Sequence, residues 1–180
     1  DVVTDDGCSK MGTTMMRNGL VTRGVLIDIP RLKGVPYLEP GTKVYPEDLE
    51  AWEKYADLTI ESGDALLLRT GRWARREATG ATGEMSGWDA SAIPLLADRD
   101  IALLGADAVH EAPDSVPGLA VNPIHRFAIV SRGVNLLDNL DLDAVAETAA
   151  ELNRWEFMLV VAPLRVPGGT GSPVNPIAIF

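Results

Sequence analysis

His125 and Asp138 stand at the two ends of "HRFAIVSRGVNLLD", and the chain holds only one other histidine, His110. An imidazole can ligate a metal or carry a proton near neutral pH. A carboxylate can orient such a ligand or hold a water. His125 follows Asn122-Pro123-Ile124, which places it at the head of a helix, pointing back to a loop. Asp138 closes the strand-like "VNLL". One imidazole and one carboxylate fall short of the three protein ligands of a catalytic metal site. Read from the residues alone, His125 is equally open to being a functional group or a satisfied core histidine.

Other candidates carry less. His110 lies beside Glu111 in "ADAVHEAPD" and reads as a solvated loop pair, with no second histidine at i+4 to make a helical zinc pair. "GGTGS" (168–172) lacks the helix that a phosphate-cradling loop must open, so it reads as a hairpin turn. "DNLDLDAV" has Asp143 and Ala149 where a calcium loop needs glycine and glutamate. Asp141 is better explained as a helix cap. No Gly-x-Ser-x-Gly elbow occurs, and Cys8 is the sole cysteine, which leaves serine and cysteine hydrolases unsupported.

The elements that must position these groups alternate between strand and helix. "LVTRGVLIDI" (20–29), "ALLLR" and "IALLGAD" are short, apolar on both faces and bounded by turn residues, as buried strands are. "PEDLEAWEKYADL" enters a helix at Pro46, with acids in its first turn and Leu49, Trp52 and Ala56 on one face. Residues 74–91 show no period and read as a surface excursion. "ASAIPLLADRD" fits a short helix. "DLDAVAETAAELN" is the clearest helix, with Leu142, Val145, Ala149 and Leu152 along one side. Two closing strands flank the glycine-rich turn, the last including Ile177 to Ile179. The class is α/β, expected as a single domain over residues 1–180.

Composition narrows the partners. At 180 residues, 46% hydrophobic and 23% charged, the chain can bury a sizeable core. A formal net charge of -10 argues against nucleic acid and against an anionic membrane. Lys and Arg are scattered apart from Arg72, Arg75 and Arg76. The lone cysteine fits a reducing, cytoplasmic setting. Four tryptophans, Trp52, Trp73, Trp88 and Trp155, are candidates for an aromatic wall. The start, Asp-Val-Val-Thr-Asp-Asp-Gly, is not that of a newly translated chain. It predicts a fragment, a processed product or a chain whose beginning is missing.

"GLVTRGVLIDI", "PEDLE", "ESGDALLLRTG", "IALLGAD", the His125–Asp138 stretch and the ending "PLRVPGGTGSPVNPIAIF" occur in an order that resembles the cyclase family of metal-dependent hydrolases. Kynurenine formamidase and isatin hydrolase belong to that family. The resemblance covers about residues 15–180. It implies a swivelling β/β/α-type domain with a small barrel-like β core. It also implies a zinc or manganese cofactor and hydrolysis of an amide, lactam or lactone of a small molecule. His125 matches a family histidine heading a helix, and Asp138 matches an acid at the end of the following strand, usually glutamate. Both are thereby expected as metal ligands and catalytic residues. The family's His-x-Gly-Thr-His-x-Asp-x-Pro-x-His motif is absent; "KMGTTMM" shares only Gly-Thr. The resemblance thus places the remaining ligands upstream of Asp1, in a longer domain of which this is the carboxyl-terminal part. A neighbouring subunit of a homo-oligomer is another source for them. The alternative is a metal-free binding or structural protein of the same fold.

Overall fold

The computed structural model describes residues 3–10, 12–113 and 122–180. They fall into two units: Gly24–Glu156 is one, and Asp1–Arg23 together with Phe157–Phe180 is the other.

The larger unit is built on parallel strands β1 (Leu20–Asp28, from Gly24 onward), β2 (Ala65–Arg69), β3 (Leu103–Ala106) and β4 (Asn135–Leu137). Their order is β1-β2-β3-β4, with Asp28 opposite Arg69, Leu68 opposite Ala106 and Gly105 opposite Leu137. Four carboxyl ends therefore lie in a row. Both faces are covered: Val25, Leu26, Ile27, Leu66, Leu68, Leu103 and Leu104 are fully buried. That is why these strands read as apolar runs without alternation. The α/β class stands as expected. Among the described residues this order is linear and is not closed into a barrel-like core.

Helices make the crossovers. After β1, α1 (Ile29–Lys33) starts on the Asp28 side chain, whose Oδ1 accepts from the Arg31 amide at 3.1 Å, and ends at left-handed Gly34. α2 (Pro46–Ala56) turns Leu49 and Trp52 inward, and the Trp52 indole donates to the Leu26 carbonyl at 2.7 Å. Trp155 meets the Trp52 ring edge-on at 5.0 Å. These two tryptophans are core and not a binding wall.

The stretch read as a surface excursion instead opens with α3 (Arg72–Thr79) and continues into the two-residue strand Gly87–Trp88, which pairs with Lys43–Val44. No residue of α3 is buried, so no apolar period could show in the sequence. Its first turn is held instead by Asp107, which accepts from the amides of Thr70, Gly71 and Arg72 and from the Thr70 hydroxyl. The expected short helix is α4 (Ile93–Asp98), with Pro94 in its first turn. α5 (Pro123–His125) continues as a π-helical turn over Arg126–Arg132 and stops at left-handed Gly133. α6 (Asp143–Leu152) buries Ala146 and Ala149, with Leu142 just ahead, whereas Leu152 is 54% exposed. Its inner face is thus rotated from the expected one. Asp141 takes the Asp143 amide at 3.2 Å, one position outside a true cap.

In the smaller unit, β5 (Glu156–Val161, from Phe157 onward) pairs antiparallel with β6 (Ile177–Ile179), Ile177 opposite Val160 and Ile179 opposite Met158. The expected last strand is present. Gly168 is left-handed, and the carbonyls of Gly168 and Gly169 accept from the amides of Cys8 and Thr13 at 2.7 and 2.9 Å. "GGTGS" is a turn that the amino-terminal segment bonds to. A Cβ on Gly7 would lie 2.6 Å from the Gly168 carbonyl oxygen, so that approach requires glycine. No helix among the described residues is long and apolar enough to cross a membrane.

Candidate functional site

Open α/β sheets place their sites beyond the carboxyl ends of parallel strands. Here the loops after β3 and β4 meet in that position. The Asn139 and Leu140 amides donate to the carbonyls of Ala108 and Ala106, both at 3.0 Å, which ties the two loops together. Asp138 is delivered by one loop, and His110 and Glu111 by the other.

His110 is fully buried, which corrects the expectation of a solvated loop residue. Its backbone is left-handed (φ 67°), an uncommon state for a non-glycine residue. The strand Gly87–Trp88 holds it there: the Trp88 amide donates to the His110 carbonyl at 2.6 Å, and the Ala112 amide donates to the Trp88 carbonyl at 3.2 Å. Neither ring nitrogen makes an aligned hydrogen bond. Asp138 Oδ1 lies 3.3 Å from Nε2, close enough for attraction between charges but poorly directed. Burial pulls the His110 pKa down to about 4; Asp138 and a contact with the Leu137 backbone oppose this shift, and His125 adds to it.

His125 lies in the first turn of α5, and one carboxylate controls it. Glu111 accepts from the His125 amide at 2.8 Å and meets Nδ1 at 2.8 and 2.9 Å through its two oxygens. The same side chain therefore satisfies a free amide at a helix start and fixes the ring. With Nδ1 committed to Glu111, the nitrogen left to face other groups is Nε2, which lies 3.5 Å from Asp138 Oδ2. Burial pulls the His125 pKa down, yet Glu111 and then Asp138 outweigh it and leave the pKa raised.

Asp138 thus lies between two imidazoles whose ring centres are 5.6 Å apart and nearly perpendicular. His125 and Asp138, singled out in the sequence, are brought together. Glu111 and His110 were missed as members. The available signal was their position immediately after a buried strand, where an α/β sheet presents functional groups. Trp73 also faces this end, its indole donating to the Leu140 carbonyl at 2.7 Å.

The arrangement suits proton transfer: an oriented imidazole, a carboxylate against its free nitrogen and a partly open face, with 25% of the His125 side chain exposed. Among the described residues no group of three or more His, Cys, Asp or Glu side chains could hold a metal ion. Histidine and aspartate are suitable donors for zinc or manganese, but their number is short.

The Cyclase family model matches residues 5–112, a span that includes His110 and Glu111 and ends before His125. A comparison with curated proteins gives no match. Among solved structures, a novel cyclase is 29% identical with a TM-score of 0.82, covering 94% of this chain and 56% of its own. Isatin hydrolase A from Ralstonia solanacearum is 22% identical with a TM-score of 0.66, covering 87% and 59%. A potential metal-dependent hydrolase with cyclase activity is 21% identical with a TM-score of 0.62, covering 97% and 71%. The last two are likenesses of fold. The chain spans 56% and 59% of the first two structures' own lengths. With the family model covering more than half of its residues, the chain belongs to the cyclase family.

Proposed function

We propose that the chain is the proton-handling part of a hydrolase that opens an amide, lactam or lactone of a small molecule. The observation that carries this is the His125 imidazole, locked through Nδ1 by Glu111 and presenting Nε2 to Asp138. In such a reaction Nε2 takes a proton from water as the water oxygen bonds to the carbonyl carbon. When the carbon–nitrogen or carbon–oxygen bond breaks, the same nitrogen returns the proton to the leaving group. Asp138 orients the water and stabilises the imidazolium; Glu111 holds the ring.

A divalent metal, zinc or manganese, belongs to the proposal because structures described as metal-dependent hydrolases share the fold. Its full ligand set requires residues beyond those described, from a longer chain or a neighbouring subunit of a homo-oligomer. The exposed apolar side chains of the β5–β6 pair support such an oligomer, most simply a dimer. A cytoplasmic setting rests on the single cysteine.

Replacing His125 by alanine in the longest native form of the protein tests the proposal. The expected loss of turnover is about 10²–10⁴-fold in protein that is still folded at the assay temperature, a loss that the missing Glu111 pair and any lower melting temperature do not account for. Unchanged turnover with a lower melting temperature would overturn it.

A further inference from the structure

Arg72, Arg75 and Arg76 form the tightest group of cations in a chain whose formal charge is -10. Among the described residues none of the three makes a salt bridge, although carboxylates are plentiful. Their other contacts hold them in place. Arg72 Nη1 donates to the Asp107 carbonyl at 3.3 Å and to the Asn139 side-chain oxygen, and Arg75 Nη1 donates to the Glu84 carbonyl at 3.2 Å. The Arg72 and Arg76 guanidinium groups lie 4.7 and 5.7 Å from the Trp73 ring centre, on a plate that Leu140 pins.

All three line one cavity of about 100 Å³, together with Thr70, Glu84 and Ser86. Glu84 is the only acid among the described lining residues. Like charges gathered in a recess repel one another, and a bound anion relieves that repulsion. At about 30 Å³ per water, the space is ample for a carboxylate or phosphate group. A planar guanidinium pair matches a carboxylate in two-point fashion.

The cavity adjoins the proton-handling cluster through Arg72. Its Nη1 bonds Asn139, the neighbour of Asp138, and the carbonyl of Asp107, which begins the loop carrying His110 and Glu111. We propose that this cavity binds a carboxylate carried by the substrate, so that the substrate class is a small anionic amide, lactam or lactone. The inference rests on the hydrolase reading above for the word substrate, and on the arginine cavity for the anion.

Two measurements on the longest native form separate these. Calorimetric titration with benzoate and with inorganic phosphate reads the cavity. Kinetics on paired anilides, identical but for a carboxylate or its carboxamide, read its use. Arg75→Gln is expected to weaken benzoate binding about 10- to 100-fold, while His125→Ala binds benzoate as the parent does. The kcat/KM ratio of carboxylate over carboxamide anilide falls by a similar factor in Arg75→Gln. Arg76→Gln, at an exposed position, gives the same direction should Arg75→Gln fail to fold. No benzoate binding by the parent, equal binding by the variants, or an unchanged kcat/KM ratio would overturn the proposal. So would phosphate binding that does not compete with the anilide, because the cavity would then serve a separate anion. If benzoate binds through Arg75 but no carboxylate-bearing anilide, lactam or lactone is hydrolysed, the hydrolase reading fails while the anion cavity stands.

Discussion

Two imidazoles share one carboxylate, and their surroundings drive them in opposite directions. His110 is sealed from water, so its charged form is disfavoured and it stays neutral well below the ordinary histidine range. His125 is partly open and faces Glu111 and Asp138, so its charged form is favoured. An unfolded chain protonates both near pH 6.5. For His110 the folded chain therefore binds fewer protons than the unfolded one between about pH 6.5 and 4, and stability falls as pH drops through that window. In metal-free protein, thermal melting of His110→Asn is expected to fall less steeply over that window than melting of the parent; parallel slopes would exclude His110 as the cause. For His125 the sign reverses: its contribution is full below pH 6.5 and is lost as pH rises through the raised folded value. Under the proposed reaction, the rising limb of the pH–rate profile is expected to report loss of the His125 proton, at a pH that Glu111 raises. Glu111→Gln should move it toward lower pH and lower the maximum rate; an unmoved limb would show that Glu111 does not act on the ring.

At the scale of elements, the histidine cluster depends on pieces outside it. The strand Gly87–Trp88 props His110 in a left-handed conformation, and Gly87 has no room for a side chain. A Cβ there would lie 2.3 Å from the His110 carbonyl oxygen, a backbone atom that cannot swing away. Gly87→Ala is therefore expected to cost about 1–3 kcal/mol by overpacking, read by denaturant unfolding. It should also disturb the His110–Asp138 pair, read as a shift of the histidine ring resonances. A stable variant with unchanged resonances would mean that the loop is held by other contacts. α3 shows the converse dependence. Its first turn rests on Asp107, whose carboxyl is pushed up by burial and drawn back down by the Thr70, Arg72 and Gly71 donors. That turn delivers Arg72 to the cavity edge.

At the scale of the molecule, acidity and exposed apolar surface point to different consequences. The charge of -10 keeps polyanions away, which makes the arginine cavity the local exception. Met158, Ile177 and Ile179 on the β5–β6 pair are 46%, 52% and 45% exposed. Exposed apolar side chains beside a strand edge invite pairing. Light scattering is expected to give a mass above that of one chain, reduced to the single-chain value by Ile177→Lys with Ile179→Lys. A single-chain mass for the parent would remove the dimer from the proposal.

Local pattern made the elements legible. Apolar runs marked the buried strands, Pro46 with its acids marked α2, and the glycines at 168, 169 and 171 marked a turn. These signals lie within a few residues of each other, so periodicity and turn chemistry suffice to read them. α3 escaped because a helix with no buried face leaves no apolar period, and α6 was read with the wrong face inward because Leu152, apolar in type, ends exposed. The site was half legible: His125 and Asp138 could be named from residue type and resemblance, but not what stands around them. Glu111 is fourteen positions from His125, and His110 twenty-eight from Asp138; no local rule joins them. They meet because parallel pairing sets the carboxyl ends of β3 and β4 side by side, and because Gly87–Trp88 bends the first loop inward. Burial then separates the two histidines in charge, a property that depends on surrounding atoms and not on residue type.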